Sequence, residues 1–334
     1  MTEGDVAHTA VVPDHDTMVA VLRLAQRAPS VHNTQPWRWV FDGSRLHLHT
    51  DPDRLLSAAD PHGRQRIISC GANLHHLRTG FAAHGWHTDI TRLPDPDRPD
   101  YLAMIAFRPW PDPPAGIPAR ARAMEQRRTD RLPMLPPHGW AEVLASVRRL
   151  VSPHDVALDV LDDSARARLA AVSEHTAAAR KDDPMYQTEL YWWAGHPDTT
   201  EGIPPTGLVS DAEFARVDVG RVYPSAPHSM RRGELTDHST LVALSTEGDS
   251  VSQWLHTGEA LSVVLLECTA AGLTTCALTH VTELPAARRT IAELVDTRTT
   301  PQVLIRIGAA PAEETPLPST PRRPVEEIFT IDSQ

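Results

Sequence analysis

The stretch Ala28-Pro29-Ser30-Val31-His32-Asn33-Thr34-Gln35-Pro36-Trp37-Arg38-Trp39 organises the rest of the chain. Upstream, Met18, Val21, Leu22 and Ala25 recur at helical spacing, which predicts a helix over 16–28. Pro29 ends that helix, because proline disfavours helical geometry in the residue before it. Downstream, Trp39-Val40-Phe41 and Leu46-His47-Leu48 read as strands around the turn Asp42-Gly43. The segment between them is an ordered loop, braced by Pro29 and Pro36 and crowded with Ser30, Asn33, Thr34 and Gln35. Such a loop suits a flat polar ligand edge better than a metal. The competing reading is a capped helix end with a tryptophan anchor in the core.

Composition narrows the classes. The 334 residues are long enough for a large core in one or two domains. A formal net charge of -11 argues against a nucleic-acid partner, which would show a basic face. Lys181 is the only lysine, so nearly all cations are arginines. Residues 1–13 have neither a basic start nor an apolar run, unlike a signal peptide. The longest apolar stretch, 260–278, carries Glu267 and several hydroxyl residues, so it reads as a buried helix and strand rather than a membrane span. Cys70, Cys268 and Cys276 are too few and too scattered for a disulfide framework or a zinc site, which points to reduced thiols and a cytoplasmic location. His75-His76 and His84/His87 lack the partners a metal would need, so no metal is expected. No Gly-x-Gly-x-x-Gly, Walker or Gly-x-Ser-x-Gly motif is present.

Further along, Ile67, Leu74, Leu77 and Phe81 share a helix face that Gly85 stops. Tyr101–Phe107 reads as a strand and 109–118 as a proline-rich linker. A similar unit returns later. Gly71 and Gly85 match Gly258 and Gly272, Leu74 matches Leu261, Leu93-Pro94 matches Leu284-Pro285, and strand 101–107 matches 302–308. Helix 140–151 echoes the first helix. This order predicts an α+β fold built from two tandem units, one over 14–110 and one over 119–334.

Two arginine groups stand out in this acidic chain. Glu125-Gln126-Arg127-Arg128-Thr129-Asp130-Arg131 holds three guanidiniums and a hydroxyl in five residues, and forked donors match phosphate oxygens in pairs. Arg322-Arg323 follows near the C-terminus. Read alone, the first is equally a solvated helix end and the second a basic tail.

The opening loop, with its Pro-Ser-x-x-Asn-x-Gln-Pro-Trp pattern over 29–37, resembles the nitroreductase family of FMN proteins, in its divergent Acg-like branch. The resemblance covers the N-terminal helix and loop, the Arg127–Arg131 segment and the last part of the chain; it covers 150–250 poorly. It implies a nitroreductase-like fold in which two units imitate, within one monomeric chain, the family's usual dimer. It implies FMN held by Pro29, Ser30, Val31, Asn33 and Gln35 of the loop. Arg127, Thr129 and Arg131 match the family's Arg-x-Ser/Thr-x-Arg/Lys phosphate element, with Arg128 as an extra. Arg322 and Arg323 correspond to a basic pair that also reaches the phosphate, and Thr279, His280 and Val281 pass the flavin ring. The loop exists only in the first half and the arginine element only in the second, so one flavin per chain is expected.

The implied activity is electron transfer through flavin N5 from NAD(P)H or another donor to a nitroaromatic, quinone or similar acceptor. No catalytic side chain is demanded. The aromatic, proline-rich segment 182–207 reads as either a binding lid or an interface, and the resemblance implies a lid folded over the flavin. If it closes the flavin off, the alternative is an FMN-sequestering protein with little NAD(P)H turnover.

Overall fold

The computed structural model describes residues 11–195, 201–224, 228–295, 299–315 and 317–332. Asp14 starts the first helix, its carboxylate accepting the Thr17 N–H at 2.7 Å. Helix α1 (His15–Ala25) then buries Met18, Val21, Leu22 and Ala25 on one face. It ends three residues earlier than the periodicity predicts, and hydrogen-bonded turns at Gln26, Arg27 and Ala28 lead to Pro29.

Strands β1 (Trp37–Phe41) and β2 (Leu46–Thr50) form an antiparallel hairpin. The Asp42 carboxylate closes its turn by accepting the Ser44 and Arg45 N–H groups. Helix α2 (Arg64–Ala83) runs to Gly85, whose φ of 78° takes the left-handed turn that glycine adopts without strain. Strands β3 (Trp86–Arg92) and β4 (Tyr101–Pro109) complete this sheet's antiparallel part. The proline-rich stretch is shorter than expected of a linker. Helix α3 (Ile117–Gln126) begins inside it, with Pro118 in the first turn, where a missing N–H removes no helical bond.

The second unit opens with α4 (Trp140–Val151) and β5 (Ala157–Leu161). Three helices follow, α5 (Asp163–Lys181), α6 (Pro184–Trp193) and α7 (Asp211–Phe214). Then come β6 (Thr240–Thr246), α8 (Val251–Ala270), β7 (Thr274–Leu278), α9 (Pro285–Ala292) and β8 (Thr300–Gly308). The strand order β7-β8-β6-β5 repeats the order β3-β4-β2-β1, and every pairing within both series is antiparallel. Helices α5 to α7 are inserted where the first unit has only the Asp42 turn.

The chain ends with α10 (Val325–Ile328) and β9 (Phe329–Ile331), and β9 lies parallel to β1 with Phe329 beside Trp39. The C-terminus therefore completes the first sheet rather than the second unit in which 119–334 was expected to lie. A three-residue strand carries no periodicity, and its partner lies nearly the whole chain away. The second sheet is buried on both faces: Val242, Leu244 and Ile305 pack toward α4 and α8, while Leu241, Ala243 and Leu304 pack toward α5 and α9. No helix among the described residues is long and apolar enough to cross a membrane.

Helices α2 and α8 cross at Gly71 and Gly258. A Cβ on Gly71 would lie 2.1 Å from the Leu255 carbonyl oxygen, and one on Gly258 would lie 2.0 Å from the Ile68 carbonyl oxygen. Residue 68 matches 255 and 71 matches 258 in the sequence repeat, so the contact is reciprocal, as at a twofold interface. The next matching pair along the crossing, His75 and Ser262, is joined by a 2.7 Å hydrogen bond.

Beside this crossing, the fully buried Glu259 of α8 accepts from Arg92 of β3 at 2.6 Å and from Arg78 of α2 at 3.0 Å. Burial pushes the Glu259 carboxyl up, but the hydrogen bond and charge of Arg92, with Arg78 and His154, outweigh burial and bring it down to about 2. A depressed folded-state value contributes stability that is complete above the unfolded value near 4.5 and is lost as pH falls toward 2. Glu259→Gln is expected to cost about 3 kcal/mol at pH 7 and to flatten the stability profile between pH 5 and 2. Urea unfolding across that range checks both; an unchanged acid limb refutes the assignment.

Candidate functional site

The Pro29–Gln35 loop is wound tightly. His32, Asn33 and Gln35 have φ of 48°, 59° and 50°, all left-handed and all costly for side chains with a Cβ. The surroundings hold them there. Ser30 Oγ accepts the Gln35 N–H at 3.0 Å, and Ser69 Oγ of α2 accepts the Val31 N–H at 3.2 Å. Trp37 is fully buried, and Trp39 Nε1 donates to Asn73 Oδ1 at 2.9 Å.

The two amides do other work than expected. Asn33 Nδ2 donates to the carbonyls of Gly202 and Pro321 at 2.9 and 3.0 Å. Gln35 is buried, receives the Arg323 N–H at 3.0 Å and donates to the Asn33 carbonyl. Both lock the loop to neighbouring segments, and Asn33 also borders the arginine-lined cavity described below. The loop also presents Pro29, Ser30, Val31 and His32 along one wall of a cleft. Gln65, Ile68 and Ser69 of α2, Leu261 of α8, and Cys276 to Thr279 form the other walls. The cleft therefore lies where the α2/α8 crossing meets the end of β7.

Thr279 donates to the Gln65 side-chain carbonyl and lines the cleft, as expected. His280 and Val281 do not. The chain enters a 3-10 turn over His280–Thr282, which turns Val281 into the core and His280 away, with its Nε2 2.9 Å from Ser173 Oγ.

A second cavity shares Pro29, Ser30, Thr129 and Arg131 with the first, so the two adjoin. Arg27, Arg127, Arg128, Arg131 and Arg322 line it. Their hydrogen bonds go to neutral oxygens: Arg127 and Arg322 to the Arg27 carbonyl at 3.0 and 3.3 Å, Arg27 to Met124, Arg128 to Glu125 and Arg127, and Arg131 to Gly207. None pairs with a carboxylate among the described residues. Arg127 Nε is buried with no hydrogen-bond partner there. Burial, and then the charges of Arg27 and Arg128, pull Arg127 down to about 10, and burial with the charges of Arg127, Arg27 and Arg128 holds Arg322 well below its ordinary value. Buried Arg306 shows the contrast: set 2.7 Å from Asp237, it is shifted upward despite its burial.

Arg323 lies apart from this cluster, because it turns to Asp51 at 3.1 Å and fastens the C-terminal segment under the loop. Arg27, Gln65 and Ser69 join the site although no motif marks them.

The cleft is roofed by Val209, Phe214, Val217 and Tyr223, which follow the segment 182–207 expected to cover it. Within that segment Tyr191 and Trp192 are 58% and 65% exposed, while Tyr186 is buried and accepts a hydrogen bond from Arg221 at 2.8 Å. Residues 196–200 of the expected lid lie outside the described residues. Arg221 also donates to Glu283 and contacts His32 Nε2 at 3.3 Å, closing the roof with a buried polar knot. No group of three metal-ligating side chains occurs among the described residues.

These features define an α+β protein of the nitroreductase type, with an arginine-lined pocket joined to an apolar cleft. No family model matches the chain. It is 44% identical over 317 residues to a Mycobacterium tuberculosis (strain ATCC 25618 / H37Rv) protein named "Putative NAD(P)H nitroreductase acg", covering 95% of this chain and 96% of that one. It is 36% identical over 331 residues to Rv3131 of the same strain, named with the same qualifier as an NAD(P)H nitroreductase, covering 98% and 94%. Among solved structures, the FMN-dependent nitroreductase NfnB from Mycobacterium smegmatis in complex with NADPH aligns with a TM-score of 0.41 at 15% identity, covering 65% of this chain and 99% of that one. The chain belongs to the nitroreductase family, in its Acg branch.

Proposed function

We propose that the arginine-lined cavity holds the phosphate of one FMN and that the adjoining cleft takes its isoalloxazine ring, in an oxidoreductase that passes electrons from NAD(P)H or another donor to a nitroaromatic, quinone or similar acceptor. The five arginines without a carboxylate carry this reading. An FMN phosphate brings close to two negative charges to a place where the protein has gathered only positive ones. Arg127, Arg322 and Arg131 with Thr129 would hold the phosphate. Ser30, Gln65, Ser69 and Thr279 border the cleft with polar groups, and Ile68 and Leu261 supply an apolar bed. When bound, FMN supplies hydride transfer at N5, and the chain supplies position, charge and exclusion of water.

The paired topologies support reading the chain as a fused duplication, a monomer that imitates a dimer. They also support a single flavin. The position matching Thr279 is Arg92, and its guanidinium is bound to buried Glu259. The loop matching Pro29–Gln35 is Ser152-Pro153-His154-Asp155, with His154 set 3.9 Å from Glu259. An ion-pair network thus stands where a second ring would need space. The three free, buried cysteines suit a cytosolic setting.

A second reading, a closed FMN-holding protein, is favoured by the roof. Arg221, Tyr186 and Glu283 seal the cleft with buried polar contacts. A visible spectrum recorded anaerobically before and after NADPH distinguishes the two. A flavin band bleached by NADPH is expected of the reductase. A band that yields only to dithionite is expected of the closed form, and no flavin band after reconstitution refutes both.

A further inference from the structure

Beyond the roof lies another cavity, of about 580 Å³, between α5, α6 and the 221–224 segment. Arg221 and Tyr223 line both this cavity and the flavin cleft, so the two share a wall. Its lining differs in kind from the cleft. Tyr186, Tyr191 and Tyr223 offer three phenol rings, and Leu190 and Val222 add apolar surface. Its charged residues are Arg180, Lys181 and Arg221, with no carboxylate, in a chain of net charge -11. Arg221 is neutralised from behind by Glu283, and Arg180 pairs with Asp183 at 3.1 Å. Lys181 is exposed at the cavity, with no ion pair among the described residues. His280 also lines the cavity. It is 3% exposed, its Nε2 is used by Ser173, and its Nδ1 has no hydrogen-bond partner in the described structure.

We propose that this outer cavity is a binding site for a planar aromatic anion, separate from the flavin cleft and divided from it by Arg221 and Tyr223. Phenol rings stack on or edge against a flat π system. Lys181, the rim cation without an ion pair among the described residues, selects a negative substituent over a neutral one. The buried His280 edge supplies a polar contact that an aliphatic ligand would leave unmet. The site does not need the flavin, although its use in turnover rests on the flavin reading.

Calorimetric titration with 4-nitrobenzoate, and with 4-nitrobenzamide as its neutral counterpart, tests this on flavin-loaded and flavin-free full-length protein. The acid is expected to bind both forms with equal affinity and about fivefold more tightly than the amide. Lys181→Glu, at an exposed position in the last turn of α5, is expected to erase that preference. Val222→Trp, at a half-exposed wall position, is expected to weaken both compounds tenfold or more. Binding that survives Val222→Trp, or that appears only in one flavin state, places the ligand elsewhere and overturns the proposal; so does equal affinity for acid and amide, or no binding. A protein that fails to take up FMN yet binds 4-nitrobenzoate with the expected Val222 dependence refutes the flavin reading alone.

Discussion

Replacing Arg127 and Arg322 together by methionine is expected to lower FMN affinity about a thousandfold while leaving riboflavin affinity within about threefold. Arg127 is buried, Arg322 is half-buried beside it, and each makes only carbonyl or hydroxyl hydrogen bonds within the protein. A charge-assisted bond to phosphate is worth about 2 kcal/mol, so losing two costs about 4 kcal/mol, or roughly three decades in affinity. Riboflavin lacks the phosphate and is the control: a folding defect lowers both ligands, and a lost phosphate site lowers one. The flavin-free stability moves the other way. Both guanidiniums are depressed in the folded state by burial and by like charges, so at neutral pH their charge opposes folding. Methionine keeps the length and removes that repulsion, and the flavin-free variant is expected to melt at the same temperature as the parent or a few degrees above it. A variant that still retains FMN, or that loses riboflavin equally, rules out the phosphate assignment.

Why some of this site is readable in the sequence, and some is not, follows from how each residue reaches it. Ser30, Thr129 and Arg131 sit in short contiguous motifs whose backbone geometry is local, so the sequence places them together with little help from the fold. Arg323 and Arg322 are neighbours, yet only Arg322 reaches the arginine-lined cavity. Which one does so depends on Asp51, brought there by a hairpin far away in the chain. His280 and Val281 were expected beside the ring because the family resemblance places this segment there. The 3-10 turn after Leu278 re-aims them, and nothing in Thr279-His280-Val281 announces it. Arg27 precedes Pro29 and faces the arginine element only because α1 packs near α3. The roof is the least readable part. Arg221 and Tyr223 lie in an irregular run with neither helical nor strand period, and their meaning comes wholly from contacts with Tyr186, Glu283 and His32. The repeat, by contrast, was visible from the spacing of Gly71 and Gly258. Its physical cause appears only when the two glycines are seen facing each other.

That crossing carries the largest stability effect expected in the chain. Gly258→Ala is expected to cost at least about 4 kcal/mol and to lower the yield of folded protein sharply. In an ordinary helix interior the same change gains about 1 kcal/mol, since alanine is the better helix former. Here the added methyl would lie 2.0 Å from the Ile68 carbonyl oxygen and 2.7 Å from the Ala72 nitrogen, both backbone atoms that no rotamer change can move. The helices must separate, and every contact along their shared length loosens with them. Gly80→Ala is the matched control. Its methyl would meet a Val21 side-chain carbon at 2.9 Å, an atom that a small adjustment can displace, so a much smaller cost is expected. The consequence reaches the site. Ile68 and Ser69 from one helix and Leu261 from the other line the cleft, so a wider crossing changes its width directly. Any folded Gly258→Ala protein is expected to hold FMN less tightly although no cleft residue has changed. Thermal melts and flavin content of the two variants, measured side by side, decide the matter. A Gly258→Ala melting point within about 2 °C of the parent would show that the crossing relaxes freely and does not set the geometry of the cleft.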